Sequence, residues 1–388
     1  MTTTRWSDDA FLDSLRQQTD ELANQCVRKL AAENGLEGSR VLFQHTSSND
    51  TALPPDAPAP LQTFFAETAA LPPGVDLARI DRGERAWMKH AFPAALVLLA
   101  KSLPEGYAAP SFGEILHLTH DLERHPYRRL LGVLQMVVNV STAHGFEPTG
   151  KAVVSAQKMR LLHAAIRVHI VPKYLPARDQ NKYGPAINFE DMLATVMGFS
   201  FLVVDGLRIL GTPLPAGEAE DLYYVWRVFA QLVGIHPRDR PDSAEYVPGS
   251  LAEAAEFYAA YARRHYVSAE QNPKGVVLAL DNLRMLQDLM PRIWRRLGLG
   301  VVPRIYMQDL IGPEGCARVG IPPVFGHALL KRLLLGLVRL SHRVIDEVPE
   351  RLDDSVSHLF FQGMINRGWD GEVTWVIPDT MADVRRLA

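Results

Sequence analysis

The chain has 388 residues and a formal net charge of −3, and 47% of its residues are hydrophobic and 22% charged. This is the composition of an ordinary globular protein, and its weak negative charge gives no support to a nucleic-acid or anionic-membrane partner. Two cysteines, Cys26 and Cys316, are too few for a disulfide framework and lie in no metal-binding spacing, which fits a reducing compartment.

The N-terminal residues, MTTTRWSDDAFLDSLRQQ, lack the long apolar stretch and the twin arginines of secretion signals. No apolar run is expected to reach the roughly 18 to 20 residues that span a bilayer. The longest runs, FPAALVLLA and VMGFSFLVV, are interpreted as buried core helices. We therefore expect a cytoplasmic protein without a transmembrane segment. The sequence predicts no particular oligomeric state.

The first predicted helix covers residues 8–33, with Ser7 or Asp8 available as its N-cap. Its apolar residues fall mostly on one side: Leu12, Leu15, Leu22, Cys26, Leu30. The polar, Pro-rich segment HTSSNDTALPPDAPAP follows, ends near Pro60, and is the best linker candidate. We predict that residues 1–60 form an N-terminal helix and linker that pack on the core, and that residues 61–388 form a single all-α domain.

Ten further helical patterns follow one another closely after the linker. They cover approximately residues 60–70, 81–102, 111–123, 126–143, 150–171, 188–210, 217–235, 250–266, 274–298 and 322–347. Turn-forming segments such as LPPGVD, HGFEPTG and YLPARDQNKYGP separate them. EVTWVI, near residue 372, is the only fair strand candidate. A chain of helices without a repeat period or a heptad run predicts an all-α fold.

The usual catalytic motifs are missing from the sequence. It contains no GxSxG nucleophile elbow, no GxxxxGK[ST] phosphate loop, no GxGxxG after a strand and no HExxH. The thirteen histidines are therefore the informative residues. Most of them stand singly on helical patterns or beside prolines at helix ends, and we interpret these as structural residues.

The segment RLLHAAIRVHI, residues 160–170, combines an apolar helix with a basic stripe. On an ideal helix Arg160, His163 and Arg167 lie within roughly 60° of one another, whereas His169 lies apart from them. Nearly every other direction is apolar, which indicates a helix buried on most sides. Buried cations need anionic partners.

Spacing alone leaves three interpretations of this stripe open. It faces solvent on a surface helix, or protein carboxylates pair with it, or it pairs with the acidic groups of a bound cofactor. In the last case the cofactor is a haem: a neutral imidazole binds the iron, and the arginines pair with the propionates. A single histidine is by itself a weak metal signal.

Several segments resemble the latex-clearing protein (rubber oxygenase) family, also called the MpaB family. They are KMRLLHAAIRVHI (residues 158–170), INFEDMLATVMGFSFLVVDGLRILG after it, EAEDLYYVWRVFAQLVGIHP with its Trp-Arg pair and LVGI run, and HPYRRLLG upstream. The resemblance covers roughly residues 80–300. No single motif is diagnostic, but their order and spacing agree.

The resemblance implies an all-α fold with a globin-like core that holds haem b, and additional helices around it. It implies that His163 binds the iron, with Arg160 and Arg167 beside it. The implied reaction is oxidative cleavage of a carbon–carbon double bond by O₂ in an isoprenoid-like substrate. Arg129, with Arg128 as the alternative, matches the family's distal arginine, and Glu114 matches an upstream glutamate that acts as a base.

The chain departs from the family pattern at one point. Rubber-cleaving members carry a lysine and a threonine shortly after the distal arginine, where this chain has Gly132 and Val133. Together with the missing secretion signal, this argues against rubber and favours a smaller apolar alkene inside the cell.

Two other functions remain open on the sequence. One is a haem protein that binds O₂ or an apolar ligand without turnover, and the other is a helical interaction protein without a cofactor. Glu114 and Arg129 also have ordinary interpretations. Glu114 suits the first turn of a helix, and Arg128 and Arg129 suit surface ion pairs with Asp121 and Glu123.

Overall fold

The computed structural model of the chain describes residues 4–34, 53, 56–118, 126–147, 150–175, 178–290, 295–296 and 299–324, with the backbone alone for residues 126–131. Within these residues every regular element is a helix, which confirms the predicted all-α fold class. The strand candidate near residue 372 and the helical pattern predicted for residues 322–347, apart from residues 322–324, lie outside the described residues.

The α-helices of the described residues follow in chain order. They are α1 (Asp9–Arg16), α2 (Glu21–Asn34), α3 (Ala59–Glu67), α4 (Leu77–Lys89), α5 (Ala91–Val97), α6 (Leu103–Gly106), α7 (Pro110–Leu118), α8 (Pro126–Ser141), α9 (Lys151–Ala165), α10 (Val171–Tyr174), α11 (Gln180–Tyr183), α12 (Phe189–Phe199), α13 (Phe201–Ile209), α14 (Ala216–Leu232), α15 (Leu251–His265), α16 (Pro273–Leu289) and α17 (Val302–Arg318). Two π-helical turns, Leu98–Ser102 and Ile166–Ile170, continue α5 and α9.

The prediction of one helix over residues 8–33 is wrong, because the chain breaks between α1 and α2. Asp8 caps α1, as expected for one of the two candidates, through a bond from the Ala10 amide to its carboxylate. Asp20 begins α2 in the same way, since its Oδ1 accepts from the Ala23 amide at 3.1 Å. A side chain that caps a helix favours a new start over continuation of the previous helix.

The pattern predicted as one helix over residues 188–210 is likewise two helices. The Ser200 hydroxyl donates to the Val196 carbonyl at 2.8 Å, and the Ser200 backbone leaves the helical region with φ −115° and ψ −84°. Counted across this break, Phe189–Ile209 are 21 residues, and their most apolar window has a mean hydropathy of 1.6 and is 56% buried in the protein. One described segment therefore reaches bilayer-spanning length, contrary to the expectation from the sequence, although buried core helices share these properties.

The core centres on α14, which contacts α4, α8, α9 and α12. Trp226 of α14 stacks on Phe199 with ring centroids 5.0 Å apart and meets Phe229 edge-on at 5.5 Å. All three aromatic side chains are buried. Helix α9 lies between α14, α8 and α2, so it is covered on most of its surface.

The N-terminal helix α1 is attached to the core by a buried ion-pair cluster. Arg16 pairs with Glu190 at 2.5 Å and with Asp191 at 3.2 Å, both on α12. Glu190 Oε1 also contacts two residues of α15, Arg264 through its Nε at 3.1 Å and His265 through its Nε2 at 2.9 Å. Helix α1 therefore lies on the core, and α2 packs against α9. The proposed division at residue 60 stays a prediction.

Candidate functional site

Helix α9 carries the basic stripe through the protein interior. Apolar side chains on opposite sides of the helix are buried, among them Ala156 and Ala165, which lie about 180° apart around its axis. Arg160 is buried, and His163 and Arg167 are half-buried. The stripe is therefore not a solvated surface face. Directly after α9 the backbone widens into the π-helical turn Ile166–Ile170, a distortion often found at functional sites.

Arg160 has a protein carboxylate as its partner. Its Nε and Nη2 donate to the two oxygens of Asp20 at 2.6 and 3.0 Å, and both side chains are about 95% buried, with 5% and 4% exposed. Burial acts to raise the pKa of Asp20, but the charge and hydrogen bonds of Arg160 hold it below its ordinary value. For Arg160, the structure therefore supports the alternative in which a carboxylate of the protein pairs with the stripe. Its predicted contact with a cofactor stays a prediction.

Gly234, in the LVGI run identified in the sequence, packs directly against this ion pair. Gly234 has a φ of +93°, and a Cβ atom there would lie 2.8 Å from Asp20 Oδ2 and 3.1 Å from Arg160 Nε. A side chain at this position would be strained by its backbone and would collide with the pair. The glycine is thus required by the Asp20–Arg160 contact.

Arg167 is only partly satisfied by the protein. Its Nε donates to Asn24 Oδ1 of α2 at 3.0 Å, and its Nη1 donates to the Ile187 carbonyl at 3.2 Å. Ile187 has a φ of +53°, which is rare for a β-branched residue. The buried Nη2 has no hydrogen-bond partner in the described part of the chain. Burial lowers the pKa of Arg167 to about 10, so it remains a cation with a donor to offer at neutral pH.

His163 lies between Arg160 and Arg167 in the basic stripe. Its Nδ1 is buried and accepts or donates no hydrogen bond within the described residues. Burial, and then the positive charge of Arg167, lower the pKa of His163 to about 3. The imidazole is therefore neutral at physiological pH, which is the form that binds metal ions.

Two apolar clusters flank His163. Leu161, Ala164 and Ala165 pack with residues of α2 and α3, and Ile166 and Ile170 pack with Ile115 of α7. The described residues contain no group of three or more histidine, cysteine, aspartate or glutamate side chains that would hold a metal ion by themselves. Within that part of the chain, a metal at His163 would have one protein ligand in apolar surroundings.

The structure brings the helix of Glu114 against the helix of His163. Ile115 and Leu118 of α7 belong to the same cluster as Leu162 and Ile166. Glu114 Oε2 is buried, lies 3.8 Å from Arg178 Nε and has no hydrogen-bond partner among the described residues. Helix α7 therefore carries a polar group next to the apolar wall of the site.

Arg129 and Arg128 lie in the first turn of α8, and their side chains are outside the described residues. Their predicted role at the distal side stays a prediction. Gly132 and Val133 follow on the same helix, and Val133 packs against the core.

Sequence reasoning missed four residues of this region. They are Asp20, Asn24, Arg178 and Ile187. Asp20 had a readable signal as a helix cap, but nothing in the sequence connects it to Arg160. Arg178 lies in a segment predicted as a break, where a single arginine carries no pattern. Its side chain is 2% exposed, and burial lowers its pKa.

Protonation of His163 has a predictable effect on the stability of the chain without cofactor. The unfolded chain binds this proton near pH 6.5 and the folded chain only near pH 3, so the free energy of unfolding falls as the pH drops from 6.5 toward 3. From pH 7 to pH 5.5 we expect His163 to account for a loss of about 1 kcal/mol. Urea unfolding of wild type and of His163→Leu at both pH values measures it. Equal losses in the two proteins would contradict the buried, neutral imidazole.

Comparison with known proteins identifies the family. The sequence model of the family described as "ER-bound oxygenase mpaB/B'/Rubber oxygenase, catalytic domain" matches residues 82–340. A rubber oxygenase of Streptomyces sp. (strain K30) is 25% identical over 237 residues, which are 60% of this chain and 55% of that protein. The chain thus spans about half the length of this curated relative.

A solved structure, the latex clearing protein LCP in the closed state, has the same fold. It matches with a TM-score of 0.70 and 18% identity over 89% of this chain and 90% of that chain. At this identity the likeness concerns the fold alone. The family model, in contrast, covers most of the chain, including α9 with His163. The chain therefore belongs to the oxygenase family of the mpaB/B' and rubber oxygenase catalytic domains.

Proposed function

We propose that this chain is a haem b-dependent oxygenase that cleaves a carbon–carbon double bond of an apolar, isoprenoid-like substrate with O₂. Membership in an oxygenase family supports the reaction class. The observation that carries the haem assignment is the neutral, half-buried imidazole of His163, whose Nδ1 has no hydrogen-bond partner among the described residues. Haem, when bound, supplies an iron that takes one imidazole ligand and activates O₂.

The side chains around His163 fit such a group. His163 offers a neutral nitrogen, and the buried Nη2 of Arg167 offers a charge-assisted hydrogen bond to an acidic group. Ile115, Leu162 and Ile166 supply apolar contact and exclude water. We assign the contact with an acidic group to Arg167 and give Arg160 the task of fixing α9 to α2, because its donors already bind Asp20.

The reaction needs no external reductant. One oxygen atom of O₂ goes to each carbon of the double bond, the carbon–carbon bond breaks, and two carbonyl groups form. Glu114 is proposed to position the substrate or to accept an allylic proton at Oε2, the oxygen without a hydrogen-bond partner in the described region. Arg129 is proposed to donate a hydrogen bond to the oxygen substrate, as a preorganised donor does for developing charge.

Absorption spectra and oxygen uptake test the proposal together. Purified chain supplied with haem is expected to show a Soret band that shifts on addition of dithionite and CO. With squalene it is expected to consume one O₂ for each double bond cleaved and to form aldehyde and ketone ends. Squalane, the saturated hydrocarbon of the same skeleton, is the matched control and is expected to give no uptake. Absence of a Soret band with haem supplied would contradict the proposal.

A second candidate function is a haem protein that binds O₂ or an apolar ligand without turnover. It is favoured by Gly132 and Val133, which stand where rubber-cleaving members carry a lysine and a threonine. These two residues supply neither an amine nor a hydroxyl. A reversible CO complex without squalene-dependent oxygen uptake would support it.

A further inference from the structure

A cavity of about 40 Å³ lies away from the stripe on α9. It is lined by residues of the π-helical turn Leu98–Ser102, of α6, α7, α12, α13 and α15, and by Tyr266, which follows α15. Most of the side chains that line it are apolar, including Phe112, Phe199 and Leu202. None of His163, Arg160, Arg167 and Glu114 lines it. One water molecule needs a cavity volume of about 10–15 Å³. Since each water contributes one non-hydrogen atom, the cavity has room for roughly three to four non-hydrogen atoms.

Ser102 presents an unused hydroxyl to this cavity. The residue is 7% exposed, it lines the cavity, and its Oγ has no hydrogen-bond partner within the described residues. It is also the last residue of a π-helical turn, a distortion that often marks functional positions. A buried hydroxyl left without a partner is unfavourable, so a ligand that bonds to it is stabilised relative to an empty cavity.

Three tyrosines line the cavity, and two of them, Tyr261 and Tyr266, keep an acceptor oxygen that accepts no hydrogen bond within the described residues. Tyr261 donates to Asp191 at 2.9 Å, and Tyr258 donates to Glu105 at 2.7 Å. Since the Tyr258 proton points to Glu105, Tyr266 donates to Tyr258 across 2.5 Å. The hydroxyl proton of each tyrosine is therefore already used in a hydrogen bond. The oxygens of Tyr261 and Tyr266 can still accept one. These acceptors suit a ligand that has a proton to donate.

The charges around the cavity exclude ionic ligands. Among the residues that the structure describes, no lysine, arginine or histidine lines it, so an anion would find no counter-charge there. The carboxylate of Asp191 is paired with Arg16 at 3.2 Å, and that of Glu105 with Lys101 at 2.7 Å, so a cation would find only neutralised acids. A neutral molecule that has one hydroxyl and a short apolar part satisfies both the polar groups and the lining.

We propose that this cavity is a binding site for a short neutral alcohol. Its hydroxyl accepts a hydrogen bond from Ser102 and donates one to the oxygen of Tyr261 or Tyr266, and its carbon atoms lie against Phe112, Phe199 and Leu202. The inference does not depend on haem or on the proposed reaction, and its failure leaves both untouched.

The probe for this site is 2-fluoroethanol, which has four non-hydrogen atoms, observed by ¹⁹F NMR with the full chain. We expect saturable binding at one site per chain. The matched control ligand is 1-fluoropropane, which has the same size and a methyl group in place of the hydroxyl. It is expected to bind at least about tenfold more weakly, because it leaves the hydrogen bonds unmade. Equal binding of both probes, or no saturable binding of 2-fluoroethanol, overturns the proposal.

Two variants locate the binding. Ser102→Ala removes the hydroxyl without adding volume and is expected to weaken 2-fluoroethanol about tenfold. Gly198→Ala adds a methyl group to a residue that lines the cavity, where the new Cβ would lie 3.7 Å from Ser102 Cβ in ordinary contact. It is expected to abolish binding, and the thermal unfolding temperature verifies that it stays folded. Wild-type affinity in both variants would show that 2-fluoroethanol binds outside this cavity and would overturn the proposal.

Discussion

Replacement of His163 by alanine is expected to abolish haem retention by this chain. The imidazole is the neutral nitrogen ligand proposed for the iron, and changes that only disturb the orientation of a metal ligand already cost about 10–100-fold in affinity. Loss of the ligand itself is therefore expected to weaken haem binding by more than about 100-fold. The measurement is a titration of the haem-free chain with haem, followed by the Soret absorbance. Added imidazole is expected to restore part of the band by filling the vacated space.

The matched control is His169→Ala, which removes a histidine six residues further along the same segment. His169 lies in the π-helical turn after α9, and burial lowers its pKa as well. We expect this variant to bind haem like the wild type. If His163→Ala retains the wild-type Soret band and affinity, or if the two variants lose haem equally, His163 is not the ligand and the haem assignment to this position is wrong.

Replacement of Asp20 by asparagine is expected to destabilise the fold by about 3–5 kcal/mol, because it leaves the buried Arg160 cation without its counter-charge. Asparagine keeps the shape of the side chain and also caps helices, so the start of α2 at the Ala23 amide is preserved. The change therefore isolates the charge. The free energy of unfolding in urea at neutral pH measures the effect.

A double-mutant cycle separates the ion pair from other effects of the substitution. Arg160→Met alone leaves Asp20 unpaired and is expected to cost a similar amount, whereas Asp20→Asn with Arg160→Met removes both charges and is expected to recover most of the loss. The exposed pair of Arg85 with Asp81, whose side chains are both 55% exposed, is the control and is expected to be worth about 0–1 kcal/mol. A comparably small effect at Asp20 would contradict the buried ion pair.

The two predictions concern the same helix and test different levels of the site. His163→Ala probes the ligand, and Asp20→Asn probes the attachment of α9 to α2 through Arg160. Because Asn24 of α2 also orients Arg167, loosening α2 is expected to disturb the free donor of Arg167 as well. The N-terminal helices precede the segment that matches the family model, which begins at residue 82, yet they hold the basic residues of the candidate site in place.

Local patterns in the sequence were sufficient for most of the helices and for the basic stripe. The periodicity of RLLHAAIRVHI depends only on neighbours three and four residues apart, and it correctly indicated a helix buried on most sides. The same reasoning failed at Asp20, whose side chain bonds to the backbone and starts a new helix, and at Ser200, where the helix breaks although the apolar periodicity continues. The composition of a sequence window does not show whether the apolar periodicity or the bond from the side chain to the backbone has the stronger effect.

The sequence by itself determined the all-α class, the family resemblance and His163 as the residue of interest. Only the tertiary structure decided which partner each basic residue has. Arg160 and Asp20 are 140 residues apart, and they meet because α1 and α2 turn at Asp20 and because Gly234 leaves room for the pair. Contacts across such distances depend on how whole helices pack, which no local spacing specifies. Within the described residues, that packing pairs Arg160 with Asp20 and leaves His163 Nδ1 and Arg167 Nη2 without a hydrogen-bond partner.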